Sequence, residues 1–227
     1  MKKTDFIEGG IQKITGILVS KNAPSWEKFR FISGAKSKDS SRFMMSGIHI
    51  EQAGNKTLLI STDGRRLHIA ILDTLDIEPG DYVVKEKNRD FMVLHPMAEE
   101  IQYPNWRRII QSLETQKSIQ INLNNKNKHT FSVALYGLYK STDAAINFEY
   151  LEPLANAAPT WDVYFYDKNK SHVFTSGDLM AVIMPIGEVD EIEVNQTAKG
   201  PDFKDITPAP NVIEFKPPKK SKVKKTA

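Results

Sequence analysis

The chain has 227 residues, 40% hydrophobic and 26% charged, which suffices for one large domain or two small ones. It contains no cysteine, which excludes disulfide bonds, thiolate zinc sites and cysteine nucleophiles. The net charge is +3, but the stretch KPPKKSKVKKTA (216–227) holds six lysines and no acid, so the remainder is slightly acidic. Any contact with nucleic acid must therefore come from local basic groups.

In the first half, the pattern predicts a helix at residues 23–36, which Pro24 and Ser25 open. Its apolar face carries Trp26, Phe29 and Ile32, and Phe31 falls opposite that face. Strands are predicted at residues 42–52, 56–64, 65–73 and 81–85.

Asp63 and Gly64 form a strong hairpin signal between the second and third of these strands. Residues 88–101 (NRDFMVLHPMAEEI) are interpreted as a second short helix, which Pro96 should cut or kink.

In the second half, short helices are predicted at residues 106–114 and, in part, 147–159. Strands are predicted at residues 118–124, 129–139, 161–167, 171–178 and 179–186. Each half thus holds several strands and one or two short helices, a tandem α+β pattern rather than alternating βαβ units.

We place the domain boundary near residues 101–103, giving domains at 1–102 and 103–190. Residues 191–227 lack an apolar period and are rich in proline and lysine, so a flexible basic tail is expected. Its lysines are either a solubilising end or a weak, salt-sensitive contact to phosphate.

No motif for catalysis, a metal or a cofactor is evident, and we predict a protein that is not an enzyme. The five histidines show no helical metal-pair spacing and none is expected beside clustered carboxylates, while Asp63 is explained by turn chemistry. Phosphate-binding glycine loops and nucleophile elbows are absent from the sequence. Without a secretory signal or a long apolar run, the expected location is the cytoplasm, with no membrane partner.

Three segments remain conspicuous: STDGRRL (61–67), YPNWRRII (103–110) and AVIMPI (181–186). In this order they resemble the T-D-G-x-R-L, F-P-x-x-x-R-[VI] and V-[VI]-M-P-[MI] stretches of the bacterial sliding clamp, the β subunit of DNA polymerase III. The resemblance covers about residues 24 to 187.

The resemblance implies a DNA-clamp fold, with outer β sheets and inner short helices in two tandem domains similar to the family's middle and last domains. It also implies a groove between these domains that binds short client peptides, usually a glutamine followed by apolar and aromatic residues. Carried onto this sequence, the groove comprises Met45, Thr62, Gly64, Arg65, Arg66, Leu67, Pro104, Arg108, Ile109, Val182, Ile183, Met184, Pro185 and Ile186.

The side-chain chemistry suits such a groove. Leu67, Ile109, Val182 and Ile183 can supply an apolar floor, and the methionines adapt to irregular side chains. Arg66 is expected to face the groove with a guanidinium that bonds peptide carbonyls, while Arg65 stays at the rim.

The resemblance also implies a function. The expected protein is a DNA polymerase processivity factor that encircles duplex DNA and binds it non-specifically. It tethers a DNA polymerase and other clients to the DNA, and a clamp loader is a further expected partner. Non-specific phosphate contacts are expected from Lys28, Arg30, Lys36, Lys38, Lys87 and Arg89.

The family's chain has three domains and closes a ring of six domains as a dimer, whereas this chain has room for two domains, so the same ring requires a homotrimer. The shortened chain is expected of a phage or of a mobile or reduced replication system. Residues 106–146 are short for the usual strands and helix, so one inner helix is expected to be reduced.

Two alternatives stay open. One is a non-encircling, clamp-like interaction module that binds or competes for clamp clients. The other is a nuclease-like enzyme on this fold, for which the sequence offers no metal constellation.

Overall fold

The computed structural model describes residues 5–7, 11–13, 16–37, 45–73, 75–97, 103–109, 117–123 and 128–186. The strands in these ranges are β1 Asp5–Ile7, β2 Ile11–Lys13, β3 Ile17–Ser20, β4 Gly47–Ala53, β5 Lys56–Thr62, β6 Arg66–Asp73, β7 Gly80–Lys87, β8 Phe91–Pro96, β9 Lys117–Asn122, β10 Thr160–Phe165, β11 His172–Ser176 and β12 Leu179–Ile183. The helices are α1 Trp26–Ser33, α2 Lys128–Thr142 and α3 Phe148–Ala157.

The strands form one antiparallel sheet in the order β1-β2-β3-β8-β7-β4-β5-β6-β12-β11-β10-β9. The two halves of the chain join where β6 pairs with β12, in a register that places Leu67 opposite Val182. This sheet, with its few helices, confirms the predicted α+β class.

Contacts divide the chain into Met1–Glu188 and Val189–Ala227, and the second unit, which includes the predicted tail, lies outside the described residues. The boundary at 102/103 stays a prediction. No described helix is long and apolar enough to cross a membrane.

The main core lies between the helices and one face of the sheet. It includes Phe29 and Ile32 of α1, Leu154 of α3 and Trp161 of β10. Phe31, which the helical pattern left unexplained, is also buried, because its ring stacks on His68 at a centroid distance of 4.3 Å.

A second cluster contains Ile60, Leu67, Ile69, Trp106, Val173 and Val182. Successive residues of a strand point to opposite faces, and Leu59 and Ile60 accordingly belong to different clusters. The second cluster therefore lies on the face away from the helices, where Trp106 covers it. Burial on both faces explains why β5 carries three successive apolar residues, Leu58, Leu59 and Ile60, instead of an alternating pattern.

The helix predicted at residues 88–101 is wrong in its described part, because residues 91–96 form β8. Met92 and Leu94 alternate into the core, while β3 and β7 pair with β8 on either side. Pro96 is the last residue of this strand and lies beyond Phe91–Leu94, the part that pairs with β3.

The strand predicted at residues 129–139 is also wrong, because these residues lie in α2. Phe131, Ala134, Leu135 and Leu138 contact the core with helical spacing, although the same stretch can also be read as alternating. The 15-residue α2 also contradicts the expectation of a reduced inner helix.

Of the helix predicted at residues 106–114, the described part is one 3₁₀ turn, Trp106–Arg108. The other predicted strands and helices match described elements in position and type, whereas β1 to β3 were not predicted.

Candidate functional site

A pocket of about 130 Å³ lies where β6 meets β12. Its lining residues are Thr62, Gly64, Arg65, Arg66, Leu67, Ile109, Ser171, Val182 and Met184. Eight of these nine belong to the groove implied by the resemblance, and they come from all three conspicuous segments. Sequence reasoning missed Ser171, which lies just before β11 and carries no local signal.

The corner between β5 and β6 is built by local hydrogen bonds. The Thr62 hydroxyl donates to the Arg66 carbonyl at 2.7 Å and accepts from the Gly64 amide at 3.0 Å. One carboxylate oxygen of Asp63 accepts from the backbone amides of Arg65 and Arg66. Gly64 has φ = 87°, a conformation that favours glycine. Asp63 therefore shapes the turn, as its place before a glycine predicted.

The two adjacent arginines have different surroundings. Arg66 Nε donates to Asp63 Oδ2 at 3.0 Å, and its guanidinium lies 4.5 Å from the centre of the Tyr150 ring. Its side chain is only 10% exposed. Arg65 is exposed, and within the described part of the chain its guanidinium makes no hydrogen bond or ion pair. Arg65 is thus the more available of the two for an external anion.

The pocket has an apolar floor and an exposed apolar rim. Leu67 and Val182 are buried, direct partners across the β6–β12 pair. Met184 is 50% exposed and Ile109 is 38% exposed. The Met184 amide donates to the Arg65 carbonyl at 2.9 Å, which ties the residue after β12 to the corner. Such a surface can bind the apolar side chains of a ligand without a large rearrangement of the protein.

The remaining predicted groove residues do not line this pocket. Ile183 is fully buried in the main core, because it points to the opposite face from Val182, and its expected place in the groove floor is wrong. Met45, Pro104 and Pro185 are half-buried, and Arg108 and Ile186 are exposed.

A polar cluster on β4 and β7 was missed. His49 Nδ1 contacts Asp81 Oδ1 at 2.7 Å and its Nε2 contacts Glu51 Oε1 at 3.1 Å. His49 therefore has a carboxylate at each ring nitrogen, which the sequence did not predict. The two carboxylates face opposite ring nitrogens, so they do not converge on one ion, and the described residues hold no group of three such side chains able to bind a metal.

Glu51 also contacts Trp106 and Arg107, which follow the predicted domain boundary at 102/103. Its carboxylate accepts from Trp106 Nε1 at 2.9 Å and from the guanidinium of Arg107. Burial raises the pKa of Glu51, but the hydrogen bonds from Arg107 and Trp106 outweigh it and hold the pKa below its usual range. Glu51 is therefore charged at neutral pH.

The predicted DNA-contacting cations differ in their surroundings. Lys28 donates to the Ile71 carbonyl at 2.6 Å and pairs with Asp178 at 2.9 Å, so its charge is already used internally. Arg30 and Lys87 line a second pocket, of about 140 Å³, between α1 and α3. Lys38 lies outside the described residues.

Lys87 has a perturbed environment within this second pocket. Its ammonium donates to Ser33 Oγ at 2.6 Å. Burial lowers the pKa of Lys87, and the nearby charges of Arg30 and Lys36 lower it further. These three cations therefore lie near one another, whereas Arg89 is exposed in the turn between β7 and β8.

Comparison with solved structures identifies the fold as that of bacterial sliding clamps. The DNA polymerase III beta chain of Streptococcus pneumoniae matches with a TM-score of 0.54 and 13% identity, over 78% of this chain and 66% of that chain. The Borrelia burgdorferi beta subunit, in complex with a natural product, gives 0.52 and 13%, over 70% and 61%. The Helicobacter pylori beta clamp, bound to a DNA ligase peptide, gives 0.50 and 12%, over 81% and 67%.

The chain covers less than two thirds of the Borrelia burgdorferi structure, and the identities are low, so the likeness concerns the fold alone. No protein-family model and no curated protein matches the chain.

Proposed function

We propose that this protein is a sliding clamp that tethers client proteins, including a DNA polymerase, to duplex DNA. The observation that carries the proposal is the pocket at the β6–β12 junction, where Leu67, Val182, Ile109 and Met184 from three separated segments gather on one surface. In this proposal the protein performs no chemistry of its own.

The clients bind through short peptides that place apolar side chains on the pocket floor. Leu67 and Val182 give the floor, while the half-exposed Met184 can adapt its side chain to the ligand. Arg65 adds a positive charge at the rim, and its neighbour Asp63 pairs with Arg66. A peptide that carries an acidic residue next to its apolar residues therefore fits best.

Encirclement of DNA requires self-association, because the chain spans two domains in our proposed division at 102/103. The sheet ends at β1 on one side and β9 on the other, and in the described part these strands have one neighbour each. Joining the β9 edge of one copy to the β1 side of the next gives a head-to-tail contact, which forms a ring when the rotation from copy to copy adds up to a full turn. We infer three copies, loaded onto DNA by a clamp loader.

Contact with DNA is electrostatic and independent of base sequence, since a clamp that slides gains nothing from base readout. Lys36 and Lys87, which lie near each other, are the best-supported candidates, and the exposed Arg89 is a further one, whereas Arg30 already pairs with Glu27 at 3.0 Å.

The direct test is a titration of the full chain against a fluorescein-labelled pentapeptide that begins with glutamine and ends with leucine and phenylalanine. Saturable binding in fluorescence polarisation, displaced by unlabelled peptide, is expected. A peptide of the same composition in scrambled order is the control. Equal affinity for both peptides, or no binding, contradicts the peptide-binding function.

A further inference from the structure

The connecting segment, residues 103–109, supplies Ile109 to the pocket but is held to the sheet mainly by side chains. Among the described residues, its backbone–backbone hydrogen bonds both close its own turn: Arg108 donates to Asn105 at 3.3 Å and Ile109 to Trp106 at 3.0 Å. Something other than the strand ladder must therefore fix its position.

The side-chain attachments converge on one carboxylate. Glu51 Oε1 accepts from Trp106 Nε1 at 2.9 Å and from Arg107 Nη1 at 3.2 Å, while Oε2 accepts from Arg107 Nη2. The Arg107 guanidinium also lies 4.2 Å from the centre of the Trp106 ring. Three N–H groups of two successive residues thus meet a single residue of β4.

The start of the connecting segment is held by the neighbouring imidazole. The His49 ring stacks on Tyr103 with centroids 4.6 Å apart and planes 12° apart. The ring is oriented by Asp81 at 2.7 Å and Glu51 at 3.1 Å. Residues of β4 and β7 therefore hold both Tyr103 and Trp106 in place. Glu51 takes part in both contacts, because it bonds Trp106 directly and orients the imidazole that stacks on Tyr103.

Trp106 connects these contacts to the pocket. Trp106 is buried in the second cluster against the same face as Leu67 and Val182, which form the pocket floor. Ile109 follows one turn later and is joined to Trp106 by the hydrogen bond that closes the turn. A shift of the indole would therefore move both the floor and the rim.

We infer that Glu51 is a positioning residue for the pocket: by binding Trp106 and Arg107 it sets the place of Ile109 without touching the ligand. The inference rests on the proposed peptide-binding function. Removing the carboxylate leaves the indole N–H of Trp106, which is only 8% exposed, without its acceptor.

The first readout does not depend on any peptide. Because the chain has no cysteine, Arg108→Cys creates a single site for a nitroxide spin label beside Ile109. In this background, Glu51→Ala is expected to increase label mobility strongly, and Glu51→Gln less, because the amide oxygen can still accept from Trp106. The matched control is Asp73→Asn, which removes a carboxylate from an ion pair with Lys56 on neighbouring strands.

The second readout is affinity for the labelled pentapeptide, measured without the spin label. Glu51→Ala is expected to weaken binding about tenfold, Glu51→Gln about threefold, and Asp73→Asn not at all. If Glu51→Ala does not fold, as judged by its thermal transition, Glu51→Gln carries both comparisons.

The outcomes are separable. Unchanged label mobility in the Glu51 variants overturns the inference, and so does greater mobility with unchanged peptide affinity. If the unmodified chain binds no peptide, the proposed function fails, whereas increased label mobility still shows that Glu51 positions the segment.

Discussion

Leu67 and Val182 lie directly opposite each other across the β6–β12 pair, and both side chains pack on the face that Trp106 covers. Each belongs to a different half of the chain, so a ligand on this floor touches both halves at once. The strand pairing that joins the halves therefore also builds the candidate site.

The floor and the rim of the pocket should respond differently to the same substitution. Met184→Asp, at a half-exposed position, is expected to lower peptide affinity at least about tenfold with an unchanged thermal transition. Leu67→Asp buries a charge and is expected to destabilise the fold by roughly 4 kcal/mol or more. Polarisation and thermal unfolding measure the two effects.

Tyr166→Asp, at another exposed apolar residue but away from the pocket, is the control and should leave both measurements unchanged. Full peptide affinity in a folded Met184→Asp variant would remove that residue from the site.

The corner at Asp63–Gly64 was predictable because its hydrogen bonds lie within five residues. The opposite faces of Val182 and Ile183 were also predictable, since neighbouring residues of a strand alternate, yet both were assigned to one groove. The contact of His49 with Asp81 was not predictable, because Asp81 comes beside it only through the pairing of β4 with β7.

The errors in secondary structure have a related cause. Residues 91–96 contain apolar residues at spacings that suit a helix or a strand, and the choice was made by β3 and β7, which pair with both edges of β8. Likewise α2 is a helix because Phe131, Leu135 and Leu138 meet the core at helical spacing. The local sequence allows both a helical and a strand-like spacing of apolar residues, and the tertiary contacts select one of them.

The adjacent arginines should separate into a ligand contact and a structural residue. Arg65→Gln is expected to lower affinity for an acidic pentapeptide up to about fivefold, but not for its amide counterpart, because exposed ion pairs contribute about 0.2–1 kcal/mol. Arg66→Gln loses its bond to Asp63 and its contact with Tyr150, and should destabilise the fold by about 1.5–3 kcal/mol. Equal losses for both peptides in Arg65→Gln would argue against charge recognition.

The buried His68 should make stability depend on pH. Burial lowers the pKa of His68 from 6.5 to about 3, although its hydrogen bond to the Phe31 carbonyl acts the other way. Between these values the unfolded chain binds the proton and the folded chain does not, so stability falls as pH drops below about 6.5. The contribution is at most about 1.4 kcal/mol per pH unit.

The measurement compares denaturant unfolding of the unmodified chain and His68→Leu between pH 4 and pH 7. The variant should show a shallower fall of the unfolding free energy with decreasing pH, although it lacks the bond to Phe31. Parallel curves for the two proteins would contradict the assignment.

The cations around α1 should divide by whether a carboxylate already pairs with them, as Asp178 does with Lys28, whereas Lys87 bonds only the neutral hydroxyl of Ser33 among the described residues. Lys36→Gln and Lys87→Gln are each expected to weaken duplex DNA binding and to reduce the slope of log affinity against log salt by about 1. Lys28→Gln should leave that slope unchanged and reduce stability instead, since Lys28 already bonds Ile71 and Asp178. Fluorescence anisotropy over a salt series checks this, and a reduced slope for Lys28→Gln alone would reverse the assignment.

Self-association should depend on the surface around β9. Helix α2 packs against this edge strand and exposes Val133 at 70% and Tyr136 at 62%. A second copy that extends the sheet at β9 would cover these side chains. For the proposed ring of three copies, light scattering is expected to give three times the chain mass of 25.7 kDa. The double variant Val133→Lys, Tyr136→Lys should then be monomeric, because a buried interface does not accept two unpaired charges. Tyr166→Lys, at a comparably exposed aromatic residue, should keep the trimer, and a monomeric unmodified chain would favour a clamp-like module that does not encircle DNA.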